Sequence, residues 1–269
     1  MSNQVVKQQT IAAFLNRQNT REYLESILRE RTGQFITSLV SMTNLTPQLA
    51  ACDPKTLLSC GLKATSMNLP LDNNLGFAYA IPYNNKKTGV TEAQFQLGYR
   101  AFVQLAQRSG QYKTINVIDI RRGEFISWDT LTEELKLEPI NDPVKREAQP
   151  VVGYAGVFVL QNGFRKTTYW TRERAEKHAK RFSKTFASGP WQTDFDSMAK
   201  KVVLKDLLSK WGPLTTEMQE AITYDQAVIR EENGQEVPDY VDAEFTREPL
   251  EGSLTDDFEK GQADGTSIK

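Results

Sequence analysis

Four polar residues recur at every fourth position in the segment GPWQTDFDSMAKKVVLKDLLSKW: Ser197, Lys201, Lys205 and Ser209. This spacing places them on one face of a helix, where the two lysines repel each other by about 0.2–0.5 kcal/mol unless an anion lies across them. Apolar residues occupy most of the remaining surface of the helix, so the lysines are not simply solvated. The polar face predicts either an ion pair with a carboxylate from another element or an anionic ligand, and we favour the anionic ligand because the face itself carries no acid.

Side chains that could support hydrolysis or a metal centre are scarce. His178 is the only histidine, and Cys52 and Cys60 are the only cysteines. These counts disfavour a zinc site and catalysis by Ser-His or Cys-His pairs. The stretch Lys86-Lys87-Thr88-Gly89 lacks the glycine spacing of a phosphate-binding loop, so ATP-driven strand exchange is not expected. A metal-dependent DNA nuclease would need clustered carboxylates, and it is the weakest alternative because the acids of the body are scattered.

A second cationic face is predicted on the helix that begins near Tyr99. Opposite its apolar stripe lie two arginines, two glutamines and no acid: Arg100, Gln104, Gln107 and Arg108. Arg100 lies in the first turn, where Gly98 permits close approach of the backbone and free N–H groups favour phosphate. The alternative interpretation is an ordinary solvated face.

The pair Arg121-Arg122 ends an alternating strand, which predicts one arginine on each side of the sheet. One of the two is expected to meet solvent or phosphate, and the alternative is a surface salt bridge with Glu124.

Charge is strongly polarised along the chain. Residues 225–269 carry 13 acidic and 4 basic side chains, whereas residues 1–224 carry 29 basic and 21 acidic ones. A basic body with an acidic tail indicates an anionic partner for the body. The sequence shows neither an apolar run long enough to span a bilayer nor a secretory signal, so a cytoplasmic protein is expected.

The periodicity predicts an α+β fold with N-terminal helices, a central antiparallel sheet with hairpins, and C-terminal helices whose cations form a basic groove. Helices are predicted over most of the first 70 residues and at 99–109, from 171, at 194–211 and at 215–229. Strands are predicted at 76–83, 93–97, 114–120, 125–128, 131–138, 150–160 and 164–170. Residues 1–228 are expected to be the folded body, and residues 229–269 a disordered acidic tail.

Three blocks of the sequence resemble the RecT family of phage single-strand annealing proteins, to which the phage lambda Beta protein is distantly related. The blocks are NLPLDNNLGFAYAIPYNNK (68–86), FQLGYRAFVQLAQRSGQY (95–112) and GPWQTDFDSMAKKVVLKDLLSKW (189–211). They occur in order and at similar spacing, and the resemblance covers residues 25 to 225. It implies a mixed α+β core comparable to that of the Rad52-type annealing proteins.

The resemblance implies a phage or prophage recombination protein in the cytoplasm of a bacterial host. Such a protein binds single-stranded DNA, anneals complementary strands without ATP and promotes strand invasion, so it is not an enzyme. The resemblance also implies that residues 1–228 bind DNA in the basic groove, anneal strands and assemble into homo-oligomeric rings or helical filaments. It further implies a phage exonuclease partner. No cofactor is required, and a divalent cation is expected at most to modulate DNA binding. The tail is expected to recruit partners such as the host single-strand-binding protein, or to compete with DNA for the body.

A passive single-stranded-DNA coating protein is the main alternative. It would favour aromatic stacking platforms such as Tyr99, Tyr112 and Trp191, although Trp191 also fits a core position. The annealing rate distinguishes the two, because a coating protein retards the pairing of complementary strands.

The residues that we predict to bind DNA combine these faces with the positions that the resemblance carries over. They are Lys200, Lys201, Lys205, Ser197, Tyr99, Arg100, Gln104, Gln107, Arg108, Lys113, Arg121, Arg122, Lys86 and Lys87. No catalytic and no metal-binding residue is predicted.

Overall fold

The computed structural model describes residues 10–86, 88–183, 186–232 and 234–240. The predicted α+β class is confirmed, with helices at the N-terminus followed by antiparallel sheets. Within the described residues, no helix is both long and apolar enough to cross a membrane.

From residue 10 onward, where the structure describes the chain, the N-terminal part contains four α-helices and two short 3-10 helices. Their bounds are α1 Ile11–Leu15, α2 Gln18–Leu28, α3 Thr32–Leu45 and α4 Pro54–Ser66, with 3-10 turns at Arg29–Arg31 and Pro47–Ala51. The predicted start of α4 is confirmed, because Asp53 accepts a hydrogen bond from the Lys55 N–H and Pro54 fills the first helical position.

A long hairpin follows, formed by β1 (Ala78–Asn85) and β2 (Val90–Leu97). The helix α5 (Tyr99–Arg108) then leads into a three-stranded antiparallel sheet. This sheet has the strand order β3 (Tyr112–Arg121), β6 (Val151–Leu160), β7 (Arg165–Thr171). Between β3 and β6 lie the hairpin of β4 (Phe125–Trp128) and β5 (Leu135–Leu137) and the short helix α6 (Pro143–Glu147).

The remaining helices are α7 Arg172–Phe182, α8 Pro190–Thr193, α9 Phe195–Trp211 and α10 Thr216–Tyr224. Helix α9 packs on the three-stranded sheet at Gly156, which lies in register between Val117 and Thr168. A Cβ atom at Gly156 would come within 3.2 Å of the Leu207 side chain, so the small residue lets the helix approach the sheet. The same helix contacts α5, which joins the N-terminal part to the sheet.

The predicted boundary of the body at residue 228 is wrong, and so is the expected extension of the last helix to Ile229. Helix α10 ends at Tyr224, and β8 (Val228–Glu232) pairs with β9 (Gln235–Asp239). Ile229 is buried, and the guanidinium of Arg230 binds both carboxylate oxygens of Glu92 on β2, at 2.8 and 3.0 Å. The segment to residue 239 therefore belongs to the body, and residues 241–269 of the predicted tail lie outside the described residues.

Candidate nucleic-acid interface

The anion that lies across the two lysines of α9 is a carboxylate of this chain. Asp225, which ends α10, is buried and accepts from Lys205 Nζ at 2.8 Å and from Lys201 Nζ at 3.5 Å. Its Oδ1 also accepts the Leu97 N–H at 2.8 Å. The inference that the missing counter-charge is a DNA backbone is therefore wrong, and the alternative of an ion pair with another element is the correct one.

The ion pairs with Asp225 explain how two lysines can lie on a helix that is mostly buried. Only 5% of Lys201 is exposed, and burial lowers its pKa below the usual range despite the opposing charge of Asp225. Burial also opposes ionisation of Asp225, but the two lysines prevail and hold its pKa below the usual range. In this conformation a phosphate cannot reach Lys201. Of Lys201, Lys205 and Asp225, Lys205 is the one that faces solvent, with 25% of its side chain exposed.

Two other predicted residues, Lys200 and Arg121, also have protein partners. The guanidinium of Arg121 donates to the Asp119 carboxylate at 2.7 Å and to the Gln149 carbonyl, and Lys200 Nζ lies 3.9 Å from the same aspartate. Burial opposes ionisation of Asp119, but the hydrogen bond and charge of Arg121 and the charge of Arg146 prevail and hold its pKa below the usual range.

Neither Arg121 nor Arg122 forms the suggested salt bridge with Glu124. Glu124 is buried and pairs with Arg146 of α6, with Oε1 at 2.7 Å from Nε. Arg121 contacts Glu124 through its backbone N–H, which donates to the Glu124 carboxylate at 2.8 Å. Arg122 points to solvent, as expected for one of the two arginines.

The start of α5 differs from the predicted phosphate site. Gly98 is needed because a Cβ atom there would clash with the Gly76 carbonyl oxygen, and the Gly98 N–H donates to the Phe77 carbonyl at 2.7 Å. The segment before β1 therefore occupies the space beside Gly98 in which the sequence predicts a phosphate. Arg108 holds the same segment, since its guanidinium donates to the carbonyls of Met67 and Asn68 at 2.7 and 2.6 Å.

A cleft remains beside this start, and it contains the other predicted residues of α5. Its volume is about 370 Å³, and it is lined by Phe77, Tyr99, Arg100, Val103, Gln104 and Gln107. Arg100 is exposed and donates one N–H to the Leu75 carbonyl at 3.2 Å, which leaves further guanidinium donors for a ligand. The Oε1 atom of Gln104 is buried, and no hydrogen-bond partner for it exists among the described residues. The cleft thus combines aromatic, cationic and amide groups.

Several predicted residues lie outside this cleft. Lys86, Lys113, Arg122 and Ser197 are exposed, and the Ser197 N–H donates to the Asp194 cap of α9. Lys87 lies outside the described residues. Two suggested stacking platforms are packed instead: Trp191 is buried against Phe195, and the hydroxyl of Tyr112 packs closely on Gly212. The structure thus favours the core position for Trp191.

Helix α7 presents a basic face that the list of predicted residues omits. Arg174, Lys177 and Arg181 are exposed, and none of them forms an ion pair with a described residue. The guanidinium of Arg174 lies 4.1 Å from the Trp170 ring centroid, and that of Arg181 lies 5.1 Å from the Phe182 centroid. Their spacing of three and four residues, which was visible in the sequence, places them on one side of the helix.

The neighbouring cations of α7 are neutralised. Lys180 Nζ lies 2.6 Å from Glu176, and Arg172 binds Asp196 at 2.9 Å while stacking on the Phe195 ring. This contrast separates the three cations without an ion-pair partner among the described residues from the two that are paired with carboxylates.

The α+β architecture with exposed cationic faces is that expected of a nucleic-acid-binding protein. Comparison with known proteins identifies the family. The RecT family model matches residues 33–239, and the chain belongs to this family of recombination proteins that bind and anneal single-stranded DNA. The chain is 42% identical over 268 residues to the "Uncharacterized protein YqaK" of Bacillus subtilis (strain 168), covering 98% of this chain and 88% of that protein. It is 31% identical over 225 residues to "Protein RecT" of Escherichia coli (strain K12), covering 82% of each chain.

Proposed function

We propose that this chain anneals complementary DNA strands without ATP during phage or prophage recombination and supports strand invasion. In this proposal the α5 cleft holds one nucleotide unit of a single strand, and the α7 basic face contacts the phosphate backbone. The observation that carries the proposal is the cleft itself, in which Tyr99, Arg100 and Gln104 meet on one side of α5.

The composition of the cleft suits single-stranded DNA. An aromatic ring supports a base without reading its sequence, and an arginine binds phosphate through several donors. An annealing protein must leave the base edges free, because the second strand checks the sequence.

The first test is the salt dependence of binding to a short single strand. Arg100→Gln removes a cation from the cleft, and it should reduce the slope of log K against log salt by about 0.7 on single strands. Lys145→Gln is the matched control, because Lys145 is an exposed lysine of α6. An unchanged slope for Arg100→Gln, with the fold intact by circular dichroism, would exclude this cleft.

The passive coating protein is the second candidate, and the position of Tyr99 in the cleft is the feature that supports it. The burial of Trp191 counts against a longer stacking platform. Fluorescence annealing of two complementary oligonucleotides decides between the candidates: acceleration supports annealing, whereas retardation supports coating.

We further propose that the protein works as a ring or helical filament of identical subunits with a core of the Rad52 type. Its partners would be a phage exonuclease and, through the acidic residues after 240, the host single-strand-binding protein. No cofactor is needed in this scheme, and a divalent cation would only modulate DNA binding. No group of three potential metal ligands occurs among the described residues.

A further inference from the structure

Two large aromatic side chains are exposed at one end of the three-stranded sheet. Trp211 ends α9 and is 49% exposed, and Phe164 directly precedes β7 and is 43% exposed. Trp170 and Trp191, by contrast, are each only 4% exposed. Rings that stay half-exposed at one place are typical of a surface that contacts another molecule. We call Trp211 and Phe164 the aromatic pair.

The packing below these residues brings both rings to the same face of the sheet. The Phe164 ring lies 6.0 Å from that of Phe158 on β6, which is the register partner of Lys166. Lys166 Nζ in turn lies 3.2 Å from the ring centroid of Trp211. Because residues two positions apart in an extended chain share a face, Phe164 and Lys166 lie side by side and the Trp211 ring lies next to them.

The indole of Trp211 is held with one ring face open. Lys166 covers one face, and its ammonium group is fixed by Glu133 at 2.9 Å, so the exposed half of Trp211 leaves the opposite face to solvent. Gly212 lets the end of α9 approach β3, because a Cβ atom there would clash with the Tyr112 hydroxyl. The open face is thus held in a fixed orientation, which lowers the entropy cost of stacking on a ligand.

Three exposed basic residues adjoin the aromatic pair, each next in sequence to an aromatic residue of this end of the sheet: Lys113, Arg165 and Lys210. Lys113 and Arg165 form no ion pair with a described residue, whereas Lys210 binds Asp206 at 2.7 Å. The carboxylates that contact this region, Asp206 and Glu133, are both paired with lysines. Two cations therefore remain available for an anionic ligand.

The bases of a single DNA strand fit this combination of groups. Aromatic rings stack on bases of any sequence, and cations beside them neutralise the neighbouring phosphates. An apolar protein partner fits less well, because the core of a protein interface is depleted of charged residues and Lys113 and Arg165 lie directly beside the rings.

We propose that the aromatic pair stacks on bases of single-stranded DNA, with Lys113 and Arg165 on the neighbouring phosphates. Stacking uses the faces of the bases and leaves their edges free for the second strand, so it is compatible with annealing. The inference rests on the single-strand binding proposed above, and it adds a second contact surface to that function.

This surface lies apart from the α5 cleft. Tyr99 of the cleft lies beside the backbone of Val117 on β3. Tyr112, which packs on Gly212 at the end of α9, is five positions away along the same strand, a distance of about 17 Å. At a spacing of about 3.4 Å, a run of roughly five stacked nucleotides covers this distance. One DNA strand can therefore contact both surfaces.

Binding to oligonucleotides with and without bases tests the stacking. In Trp211→Leu the affinity for a thymidine oligonucleotide should fall at least about fivefold, which is the loss of one stacked base. The affinity for an abasic oligonucleotide of equal length should stay unchanged, because the phosphates and their cations remain. Tyr23→Leu is the matched control, since Tyr23 of α2 is 52% exposed and lies outside this end of the sheet.

Natural affinity of Trp211→Leu for the thymidine strand, or equal losses on both strands, overturns the proposal. Sedimentation velocity without DNA should be the same for this variant and the natural chain. A change in assembly would assign the ring to a contact between proteins and would also overturn the proposal.

The variant Trp211→Phe distinguishes stacking from a structural role of the indole. It should retain most of the affinity, because a phenyl ring also stacks on bases. It should lose most of the tryptophan quenching that the thymidine strand causes in the natural chain, since Trp170 and Trp191 are buried. Phe164→Leu tests the second ring, and its loss of affinity should again be confined to the strand with bases. Unchanged quenching in Trp211→Phe, or a base-independent loss in Phe164→Leu, contradicts stacking.

Salt dependence keeps this inference separate from the α5 cleft. Trp211→Leu removes no charge and should keep the natural salt slope, whereas Arg165→Gln should reduce the slope by about 0.7, and an unchanged slope there overturns the phosphate contact. A base-dependent loss in Trp211→Leu with an unchanged slope in Arg100→Gln would keep the aromatic pair and exclude the cleft. Natural affinity in Trp211→Leu with a reduced slope in Arg100→Gln would exclude the aromatic pair and keep the cleft.

Discussion

Lys201 of α9 and Asp225 at the end of α10 form a buried ion pair, with Nζ 3.5 Å from Oδ1. Lys205 binds the other carboxylate oxygen, so two lysines share one acid. The Leu97 N–H completes the coordination of the carboxylate, which ties α9, the end of α10 and β2 together. The two lysines of α9 therefore stabilise the packing of this helix against the end of α10 and β2.

Substitution of Asp225 by asparagine should destabilise the fold strongly, because it leaves Lys201 charged or deprotonated without a partner. We expect the free energy of unfolding to fall by about 3–5 kcal/mol, the usual effect of removing one partner of a buried pair. Urea denaturation measures it. Glu176→Gln is the control, since the half-exposed pair with Lys180 should contribute about 1 kcal/mol or less. Equal small losses in both variants would contradict the structural role.

Local signals in the sequence predicted much of the fold correctly. The Asp53-Pro54 cap starts α4, and Asn162-Gly163 joins β6 to β7 with Gly163 at a φ of 87°. These signals act within a few residues. The partner of Lys201 lies 24 residues away, beyond a whole helix, and spacing rules cannot identify it. The preference for an external anion across the two lysines failed for this reason.

The candidate site was predictable where the side chains stay near their own element. Arg100, Gln104 and Gln107 line one cleft, as expected from their helical face, and Tyr99 joins them from the apolar side of the helix. Arg108 belongs to the same face, but it is bound by carbonyls of residues 67 and 68, whose position depends on tertiary packing. Composition likewise failed at 228–239, because acidic residues concealed a hairpin that Arg230 fixes to Glu92.

Truncation should separate this hairpin from the residues beyond it. A chain ending at residue 240 keeps β8, β9 and the Arg230 pairs, so it should fold and bind single-stranded DNA. A chain ending at residue 227 leaves the buried carboxylate of Glu92 without its arginine and exposes the apolar surface that Ile229 covers. It should lose at least about 3 kcal/mol of stability. Thermal unfolding compares the two, and equal stability would show that the hairpin is dispensable.

Stability should fall on acidification below pH 6.5 because of His178. Burial between Trp170 and Phe182 lowers the pKa of this histidine, and the nearby Lys205 adds to the effect. The unfolded chain, with a histidine pKa of about 6.5, therefore takes up the proton first, and stability is lost from there down to the lower native pKa. Between pH 7.5 and 5.5 the loss should stay below about 1.4 kcal/mol, since partial exposure screens it.

The variant His178→Gln isolates this contribution. Urea unfolding at the two pH values should show a smaller difference for the variant than for the natural chain. The carboxylates with perturbed pKa values, such as Asp119 and Asp225, have values below the usual range and titrate outside this window. An identical pH dependence in both proteins would show that the histidine is protonated equally in the folded and unfolded chains.

The basic face of α7 should contribute to DNA binding in proportion to its available charge. Each of Arg174→Ala, Lys177→Ala and Arg181→Ala should weaken binding of single-stranded DNA and reduce the salt slope by about 0.7 if its cation contacts one phosphate. The effect should not depend on base sequence, because these side chains would contact the backbone and not base edges. Fluorescence anisotropy over a range of salt concentrations measures both quantities.

Lys180→Ala provides the matched control within the same helix. Lys180 is exposed and carries the same charge, but Glu176 already neutralises it at 2.6 Å. Its removal also frees the glutamate, so the local net charge changes as in the other variants while no unpaired cation is lost. An equal reduction of the salt slope in Lys180→Ala would mean that only the summed charge of α7 matters. A reduction confined to the three unpaired positions would instead place the strand along that face.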